Sequence, residues 1–259
     1  MKIYVDKDVN IFEGEAAEKL LKEHNDKQYF IKNVGVPKVD IERWNEAQSY
    51  ERKTWCDSAA KNMETDHNEE HEKHFGGYEE LNFMLPNTYL NIIELGCGPF
   101  TNLRLIVPKI YHLPIKNIDL LDPLINEYIN HSPSCAYKNG YLNMLKVNLY
   151  NCAIENYITT KEYQLVVMIN VIEHCFDVDE IFKKISNILC DNGIFIFHDK
   201  FIKEKNIDEF YERIYDSGHP LKLTYKYIED IIETNFKTLY TKSYIDQYDN
   251  ECIYKILKK

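Results

Sequence analysis

Glycine is scarce in this chain, with nine residues in 259, about half of the ~7 % that is usual in soluble proteins. Glycine tolerates left-handed backbone and lets another group approach the main chain closely. Where a chain uses glycine so rarely, each copy is more informative about backbone geometry. Gly96 and Gly98 are only two residues apart, and they mark the first candidate site.

Long apolar runs are also missing. No stretch approaches the ~18–20 consecutive apolar residues that a membrane-spanning helix needs, and residues 1–8 lack the apolar core of a secretory signal. The seven cysteines form no Cys-x-x-Cys pair, and their odd number and wide spacing argue against a disulfide framework or a zinc ribbon. We therefore expect a cytoplasmic protein without a membrane span.

Positive charge is in deficit. Lysine and arginine number 31 against 42 aspartates and glutamates, which gives a net charge of −11. Such a surface repels phosphate backbones, so nucleic acid is a poor candidate partner. The apolar share of 44 % is sufficient for a full core, and the length allows one large domain or one domain with an elaboration.

Short apolar runs alternate with amphipathic stretches from about residue 90 onwards, which predicts alternating strands and helices. The predicted strands are 90–95, 117–121, 144–149, 164–169, 193–198, 237–245 and 251–257, and the predicted helices include 101–111, 179–189 and 225–234. Asp179 is the candidate cap of the second helix. The last two strands follow a helix and are separated by a turn-like segment, so they predict an antiparallel hairpin.

This pattern divides the chain into two regions. Residues 1–88 are charged and contain helical stretches, and they predict a mainly helical cap that supplies acceptor specificity. Residues 89–259 predict an α/β core with a mostly parallel, seven-stranded sheet.

The strongest local signal is a buried strand that runs into Gly96-Cys97-Gly98 and then into a helix. In open α/β sheets, ligands bind at the carboxyl ends of the strands. The alternative is an ordinary strand–helix turn that contains two glycines. Asp122 favours the ligand-binding interpretation, because it ends the second strand, where a carboxylate can accept hydrogen bonds from both hydroxyls of a ribose. Asp119 lies inside that strand and is interpreted as a solvent-side residue.

Two later segments add polar groups at strand ends. Asn170 follows the fourth strand directly, where a small polar side chain reaches over the ligand crevice, and Glu173-His174 opens the next segment. Before the fifth strand, Asn192-Gly193 predicts a turn with Gly193 in or near a left-handed position.

These features, in this order, resemble the class I S-adenosylmethionine-dependent methyltransferases over roughly residues 90–257. The resemblance implies a Rossmann-like fold, a methyltransferase activity, and S-adenosyl-L-methionine as cofactor with S-adenosyl-L-homocysteine as product. It implies that the loop after the first strand wraps the methionine part, that the acid after the second strand binds the ribose, and that residues 151–155 contact the adenine. The cofactor residues implied are Glu94, Gly96, Cys97, Gly98, Pro99, Asp122, Pro123, Cys152, Ala153 and Asn170.

One position departs from the family pattern, because Phe100 stands where many members have a third glycine. The loop must then bend differently. A nicotinamide-dependent oxidoreductase is disfavoured more strongly, since its Gly-x-Gly-x-x-Gly motif would require glycine at Thr101. The variant of the glycine motif, together with residues 44–48 and 166–171, narrows the resemblance to methyltransferases of bacterial capsule and surface-glycan biosynthesis.

Methyl transfer from a sulfonium is an in-line displacement, so the protein mainly aligns the acceptor and excludes water. A hydroxyl acceptor must also lose its proton to a positioned side chain. The candidates are His219 between Gly218 and Pro220, His174 after the fourth strand, and His198 at the end of the fifth. Each of these could instead be a histidine without a catalytic role.

Two segments before the core are ambiguous. If residues 66–74 are helical, His67, His71 and His74 share one face and could bind a metal, but a solvated, charge-rich lid helix is the favoured interpretation, so no metal is expected. Tyr78 follows two glycines and fits an aromatic hinge over the cofactor, although a helix–helix turn explains it equally well.

The sequence therefore predicts methyl transfer to a small polar acceptor, with O-methylation of a sugar or surface-polysaccharide precursor favoured. Methylation of an amine, carboxylate or phosphate-type group remains open, as does a non-catalytic S-adenosylmethionine-binding protein. A homodimer is a further possibility.

Overall fold

The computed structural model describes residues 3–5, 11–13, 30–32, 37–56, 81–133, 135–201, 218–221, 223–246 and 250–259. Tyr78 and the three histidines of the 66–74 segment lie outside these residues, and their predicted roles stay predictions.

A small antiparallel sheet occurs in the N-terminal region, which the sequence analysis expected to be mainly helical. Its strands β1 (Ile3–Val5), β2 (Ile11–Glu13) and β3 (Phe30–Lys32) are arranged in the order β2-β1-β3. Strands of three residues are too short for an alternating pattern to be visible in the sequence. Two helices follow, α1 (Ile41–Cys56) and the short α2 (Leu81–Met84).

The main sheet has eight strands rather than the predicted seven. They are β4 (Leu90–Leu95), β5 (Ile115–Leu121), β6 (Tyr141–Leu142), β7 (Leu145–Tyr150), β8 (Tyr163–Ile169), β9 (Leu189–Phe201), β10 (Lys237–Ile245) and β11 (Glu251–Lys258). Their order is β10-β11-β9-β8-β4-β5-β7-β6. The additional strand is β6, whose two residues pair antiparallel with β7; a strand this short leaves no periodic signal.

The central strands are parallel, and the predicted C-terminal hairpin closes the sheet. β4 pairs in parallel with β5 and β8, and β8 pairs in parallel with β9. β11 runs antiparallel to both β9 and β10. The sheet is therefore Rossmann-like and mostly parallel, with an antiparallel edge, as the sequence predicts.

Helices cover both faces of this sheet. They are α3 (Leu103–Ile106), α4 (Ile125–His131), α5 (Val178–Ile188) and α6 (Tyr225–Asn235), with 3-10 turns at Val107–Lys109, Ile154–Asn156 and Ile172–His174. Successive residues of β4 belong to opposite cores: Ile93 packs with α5 and α6, whereas Ile92 packs with α3 and α4. Burial on both faces explains why this strand is a continuous apolar run.

Of three local predictions, two are wrong in detail and one is confirmed. The cap of α5 is Asp177, not Asp179: Asp177 has an extended backbone and accepts a hydrogen bond from the Glu180 amide at 3.1 Å. Near the start of β9, Asn192 adopts the left-handed region, with φ 61°, directly before Gly193, which confirms that Gly193 lies in or near such a position.

The third local prediction concerns Asp119. It is fully buried rather than on the solvent side, and it accepts hydrogen bonds from the Tyr163 hydroxyl at 2.6 Å and the Lys161 ammonium at 2.8 Å. Its carboxylate is therefore part of a polar cluster inside the structure.

The order of successive strands in the sheet reverses at β4, because β5 lies on one side of it and β8 on the other. Loops that follow these three strands meet at the carboxyl edge of the sheet. α1 lies beside this edge, where Arg52 Nε donates to Glu127 Oε2 of α4 at 2.7 Å. Among the helices of the described segments, none has the length and apolarity needed to span a membrane.

Candidate active site

The glycine loop follows β4 and is anchored to the neighbouring strand. The amides of Gly96 and Cys97 both donate to the carbonyl of Leu121, at 2.8 and 3.1 Å. Gly96 and Gly98 adopt positive φ values of 67° and 55°. A Cβ on Gly96 would lie 2.4 Å from Cγ1 of Val171, whereas no atom of the described residues lies within 4 Å of the same position on Gly98. Gly96 thus permits close packing, and Gly98 leaves open space beside the loop.

Glu94 explains how the loop bends without a third glycine. Its buried carboxyl accepts hydrogen bonds from the Thr101 hydroxyl, from the Asn102 amide at 2.8 Å and side chain at 2.9 Å, and from the Leu103 amide at 3.2 Å. These bonds hold Thr101 in the left-handed region, with φ 51°. Burial raises the pKa of Glu94 to about 7, although the hydrogen bonds oppose the shift. Its carboxyl therefore shapes the loop.

The tip of the loop is held by Tyr137, which the sequence analysis did not single out. The Tyr137 hydroxyl donates to the Gly98 carbonyl at 2.7 Å. The Cys97 thiol in turn donates to the Tyr137 hydroxyl oxygen at 3.6 Å. The Pro99 carbonyl accepts from the Ala136 amide at 2.8 Å. Burial raises the pKa of the Cys97 thiol well above its usual value.

Asp122 lies at the end of β5, against the glycine loop. One carboxylate oxygen accepts from the Gly98 amide at 3.0 Å, and the other accepts from the Leu124 amide at 2.8 Å. Burial raises its pKa to about 6, and Glu51 contributes to the same shift. An acid in this position, beside open space at Gly98, fits the binding of ribose hydroxyls.

The loop after β7 joins this edge from the other side. The Asp122 amide donates to the Tyr150 carbonyl at 3.1 Å. Cys152 and Pro123 are half-buried and Ala153 is buried. The predicted ribose and adenine segments are therefore neighbours, as an adenosine site requires.

Asn170 ends β8 in the left-handed region, with φ 59°. Its amide donates to the His198 carbonyl at 2.9 Å. Its side-chain oxygen Oδ1 is buried and has no hydrogen-bond partner among the described residues. Since buried polar atoms are almost always paired, this oxygen fits a ligand that donates a hydrogen bond.

Asp199 positions the next turn, and the sequence analysis gave it no role. One carboxylate oxygen accepts from the amides of Val171 and Ile172, at 3.0 and 2.7 Å. Its pKa is raised to about 7, first by burial and then by the charge of Glu173. The carboxyl thus fixes the turn that carries Glu173 and His174.

Two of the three candidate histidines are brought together. The rings of His174 and His219 lie 4.3 Å apart between centroids. His174 Nδ1 is 3.9 Å from Glu51 Oε1 and 3.1 Å from the Gly218 carbonyl. His219 Nε2 is 3.5 Å from Glu173 Oε1. Burial, followed by the charge of His219, lowers the pKa of His174. The cluster therefore pairs two imidazoles with two carboxylates.

α1 packs beside the sheet edge and contacts this cluster through hydrogen bonds. Trp44 Nε1 and Gln48 Nε2 both donate to the His174 carbonyl, at 3.0 and 3.2 Å. Trp55 donates to Glu51 Oε2 at 2.9 Å and packs edge-on against Phe100 of the glycine loop, with centroids 5.8 Å apart. The helix therefore contacts both the glycine loop and the turn after β8.

His198, the third candidate, is placed differently from the expectation. Its side chain is fully buried and stacks on Tyr254 of β11, with centroids 4.0 Å apart. The ring of His198 therefore packs against β11, and the catalytic role predicted for this residue stays a prediction. Strand alternation turns His198 inward, and the sequence analysis placed it at the strand end because it expected β9 to stop there.

A model of the methyltransferase domain family matches residues 47–215, which is more than half of the chain. The chain belongs to this family. The match begins inside α1, so it includes part of the region predicted as a cap. The division of this methyltransferase into residues 1–88 and 89–259 stays a prediction. No match is found among proteins with curated functions.

Several solved methyltransferase structures share the fold of this chain. N-methyltransferase NodS from Bradyrhizobium japonicum WM9, crystallised with S-adenosyl-L-homocysteine, is 16 % identical, with a TM-score of 0.58 over 83 % of this chain and 98 % of that chain. An S-adenosylmethionine-dependent methyltransferase from Clostridium acetobutylicum ATCC 824 is 15 % identical, with a TM-score of 0.54 and the same coverage.

The plantazolicin methyltransferase BpumL, crystallised with a substrate analogue and S-adenosyl-L-homocysteine, is 19 % identical, with a TM-score of 0.52 over 84 % of this chain and 99 % of that chain. At these identities the likeness shows the fold. The predicted fold and the predicted enzyme class are therefore confirmed, and the predicted cofactor is the one that these structural neighbours use.

Proposed function

We propose that this methyltransferase transfers a methyl group from S-adenosyl-L-methionine to a hydroxyl of a small polar acceptor, a sugar or surface-polysaccharide precursor. The observation that carries the proposal is the cluster of Glu51, Glu173, His174 and His219 beside the glycine loop. A hydroxyl loses its proton on methylation, and this cluster offers groups that accept one. The narrower resemblance to methyltransferases of surface-glycan biosynthesis supports the sugar class.

The residues present fit the cofactor. Gly98 leaves open space at the loop, Asp122 offers a carboxylate to the ribose, and Asn170 presents a buried oxygen without a partner. When bound, S-adenosyl-L-methionine supplies a methyl group that its sulfonium activates. The backbone of residues 96–99 would border the methionine part, and Pro123, Cys152 and Ala153 would border the adenine. Tyr78 remains a candidate lid residue over the methionine end.

The acceptor side is formed by α1 and the turn after β8. Because burial lowers the pKa of His174, its ring is neutral near pH 7 and has a nitrogen lone pair for a proton. Asp199 and Trp44 fix the backbone on either side of this ring. The chain therefore orients the acceptor hydroxyl and takes its proton, and these are the tasks that the displacement leaves to the protein.

Cofactor binding is tested by calorimetric titration of S-adenosyl-L-homocysteine into the wild type and Asp122→Ala. We expect at least a tenfold loss of affinity in the variant, about 1.4 kcal/mol. Asp191→Ala, an exposed acid of β9, is the matched control and should bind normally. Unchanged affinity in Asp122→Ala would reject the ribose role.

The acceptor class is tested by transfer of labelled methyl groups. Sugars and nucleotide sugars should become labelled, with the label stable to mild base as in an ether. Amines and carboxylic acids of similar size form the comparison panel. Labelling of amines alone would refute the hydroxyl assignment, and binding without any turnover would identify a non-catalytic cofactor-binding protein.

A further inference from the structure

We propose that Glu51, His174 and His219 bind a divalent transition-metal ion of the zinc class, which holds the acceptor oxygen for methylation. The proposal rests on the proposed function for its catalytic role, but the metal site itself stands on geometry. No metal is expected from the sequence, where a solvated, charge-rich lid helix is the favoured interpretation of residues 66–74. Glu51, His174 and His219 come from segments far apart in the chain and form no recognisable spacing.

The distances suit a shared ion. Glu51, His174 and His219 each offer one ligand atom, and these atoms all lie within 4.8 Å of one another. Glu51 Oε1 and His174 Nδ1 are 3.9 Å apart, and binding an ion through Nδ1 requires this nitrogen to give up the hydrogen bond that it donates to the Gly218 carbonyl at 3.1 Å. Ligand atoms at ~2.1 Å from one zinc ion can be at most about 4 Å apart. Small side-chain rotations therefore bring the three groups around one ion.

The neighbours of these side chains fix their directions, as the outer partners of metal ligands usually do. Trp55 donates to Glu51 Oε2 at 2.9 Å, which leaves Oε1 directed at the histidines. A Cβ on Gly218 would lie 2.2 Å from Glu51 Oε1. Only glycine allows the 218–221 segment, which carries His219, to approach Glu51 so closely.

The donor set selects the class of ion. Imidazole nitrogens bind zinc and other first-row transition metals, whereas magnesium and calcium prefer oxygen ligands alone. Three protein ligands leave a coordination position open, which is the pattern of a catalytic rather than a structural site. The side chains of Glu51, His174 and His219 are 14 %, 20 % and 24 % exposed, so the position is shielded but within reach of an acceptor.

A bound ion would change how the proton is removed. The ion binds the acceptor oxygen and lowers the pKa of its hydroxyl, as zinc does for water. Glu173, whose Oε1 lies 3.5 Å from His219 Nε2, accepts the released proton and passes it to solvent. The acceptor oxygen then bonds to the methyl carbon while the carbon–sulfur bond breaks, and its electron pair stays on sulfur. With the ion present, the histidines serve as ligands.

The site is tested with tag-free protein and Co²⁺, whose visible absorption reports ligand geometry, followed by displacement with Zn²⁺. Wild type should bind Co²⁺ and release it to Zn²⁺. Glu51→Gln and His219→Asn should each weaken binding by at least ~10-fold, the smallest loss that even an outer partner of a ligand causes. His131→Asn is the control, because His131 belongs to an exposed pair with Glu127 and should have no effect.

Thermal unfolding and S-adenosyl-L-homocysteine affinity establish that each variant is folded. Absence of Co²⁺ and Zn²⁺ binding in the wild type, or unchanged affinity in both ligand variants, would overturn the site. Turnover that survives complete removal of metal by a chelator would overturn its catalytic role while leaving the proposed function intact. Metal binding without methylation of any hydroxyl acceptor would instead refute the proposed function.

Discussion

Replacement of Glu94 tests how the glycine loop is held. In Glu94→Ala, the backbone amide of Asn102 loses its buried acceptor, whereas the Leu103 amide keeps a second acceptor in the Thr101 hydroxyl oxygen at 3.2 Å. An unsatisfied buried donor costs ~1–3 kcal/mol, so the Asn102 amide predicts a loss of roughly 1–3 kcal/mol in the free energy of unfolding. S-adenosyl-L-homocysteine affinity should fall as well, because Thr101 no longer has the bond that stabilises its left-handed backbone.

The pH dependence of stability gives a second measure of the same group. Burial raises the pKa of Glu94 to about 7 from its ordinary 4.5, so the folded protein binds this proton more tightly than the unfolded chain. As the pH rises from 4.5 to 7, the unfolded chain ionises first and stability falls. At ~1.4 kcal/mol per pKa unit, the contribution lost is about 3 kcal/mol.

Glu94→Gln isolates this contribution, because the glutamine does not titrate while Asp122 and Asp199 titrate in both proteins. Urea unfolding between pH 4.5 and 8 should show the variant gaining about 3 kcal/mol relative to wild type across that range. Glu162→Ala, an exposed acid before β8, serves as the control. A constant difference between wild type and Glu94→Gln at every pH would refute the reasoning.

Two further substitutions test the packing around the site. Gly96→Ala should unfold at lower denaturant concentration than Gly140→Ala: both positions have positive φ, but only Gly96 would place its Cβ against Val171. Equal stability of the two variants would show that a Cβ at position 96 is not crowded by Val171. Asp199→Ala leaves the amides of residues 171 and 172 without their acceptor and should cost roughly 2–6 kcal/mol, with a larger fall in turnover than Asp191→Ala; an unaffected turnover would contradict its positioning role.

Elements with a strong local pattern could be predicted from the sequence. The run 90–95 is apolar throughout because β4 is buried on both faces, and the structure places a strand with the same bounds. The helix α5 and the two C-terminal strands are also long enough for the periodic pattern of their apolar residues to be recognised. The five strands predicted before the hairpin all exist, since each is long enough for its burial to constrain composition.

Short elements and pairings without a local period could not be predicted. β6 has two residues and β1, β2 and β3 have three each, and nothing in three residues distinguishes a strand from a loop. His198 was misplaced for a related reason: β9 continues to Phe201 because it pairs with β11, and this pairing encloses the ring.

The positions of the predicted cofactor residues follow from the sequence alone. Gly96, Gly98 and Asp122 follow two adjacent strands, and parallel strands bring the ends of their loops to one edge. Scarcity made these glycines informative, and their backbone angles agree with that interpretation.

Only the tertiary structure brings together the residues of the proposed acceptor side. Glu51 lies on α1, His174 follows β8, and His219 lies in a segment beyond β9. Their approach within a few ångströms depends on how α1 packs across the sheet edge through Trp44 and Trp55. Such long-range packing leaves no periodic pattern along the chain, because each contact is made by one residue at a time.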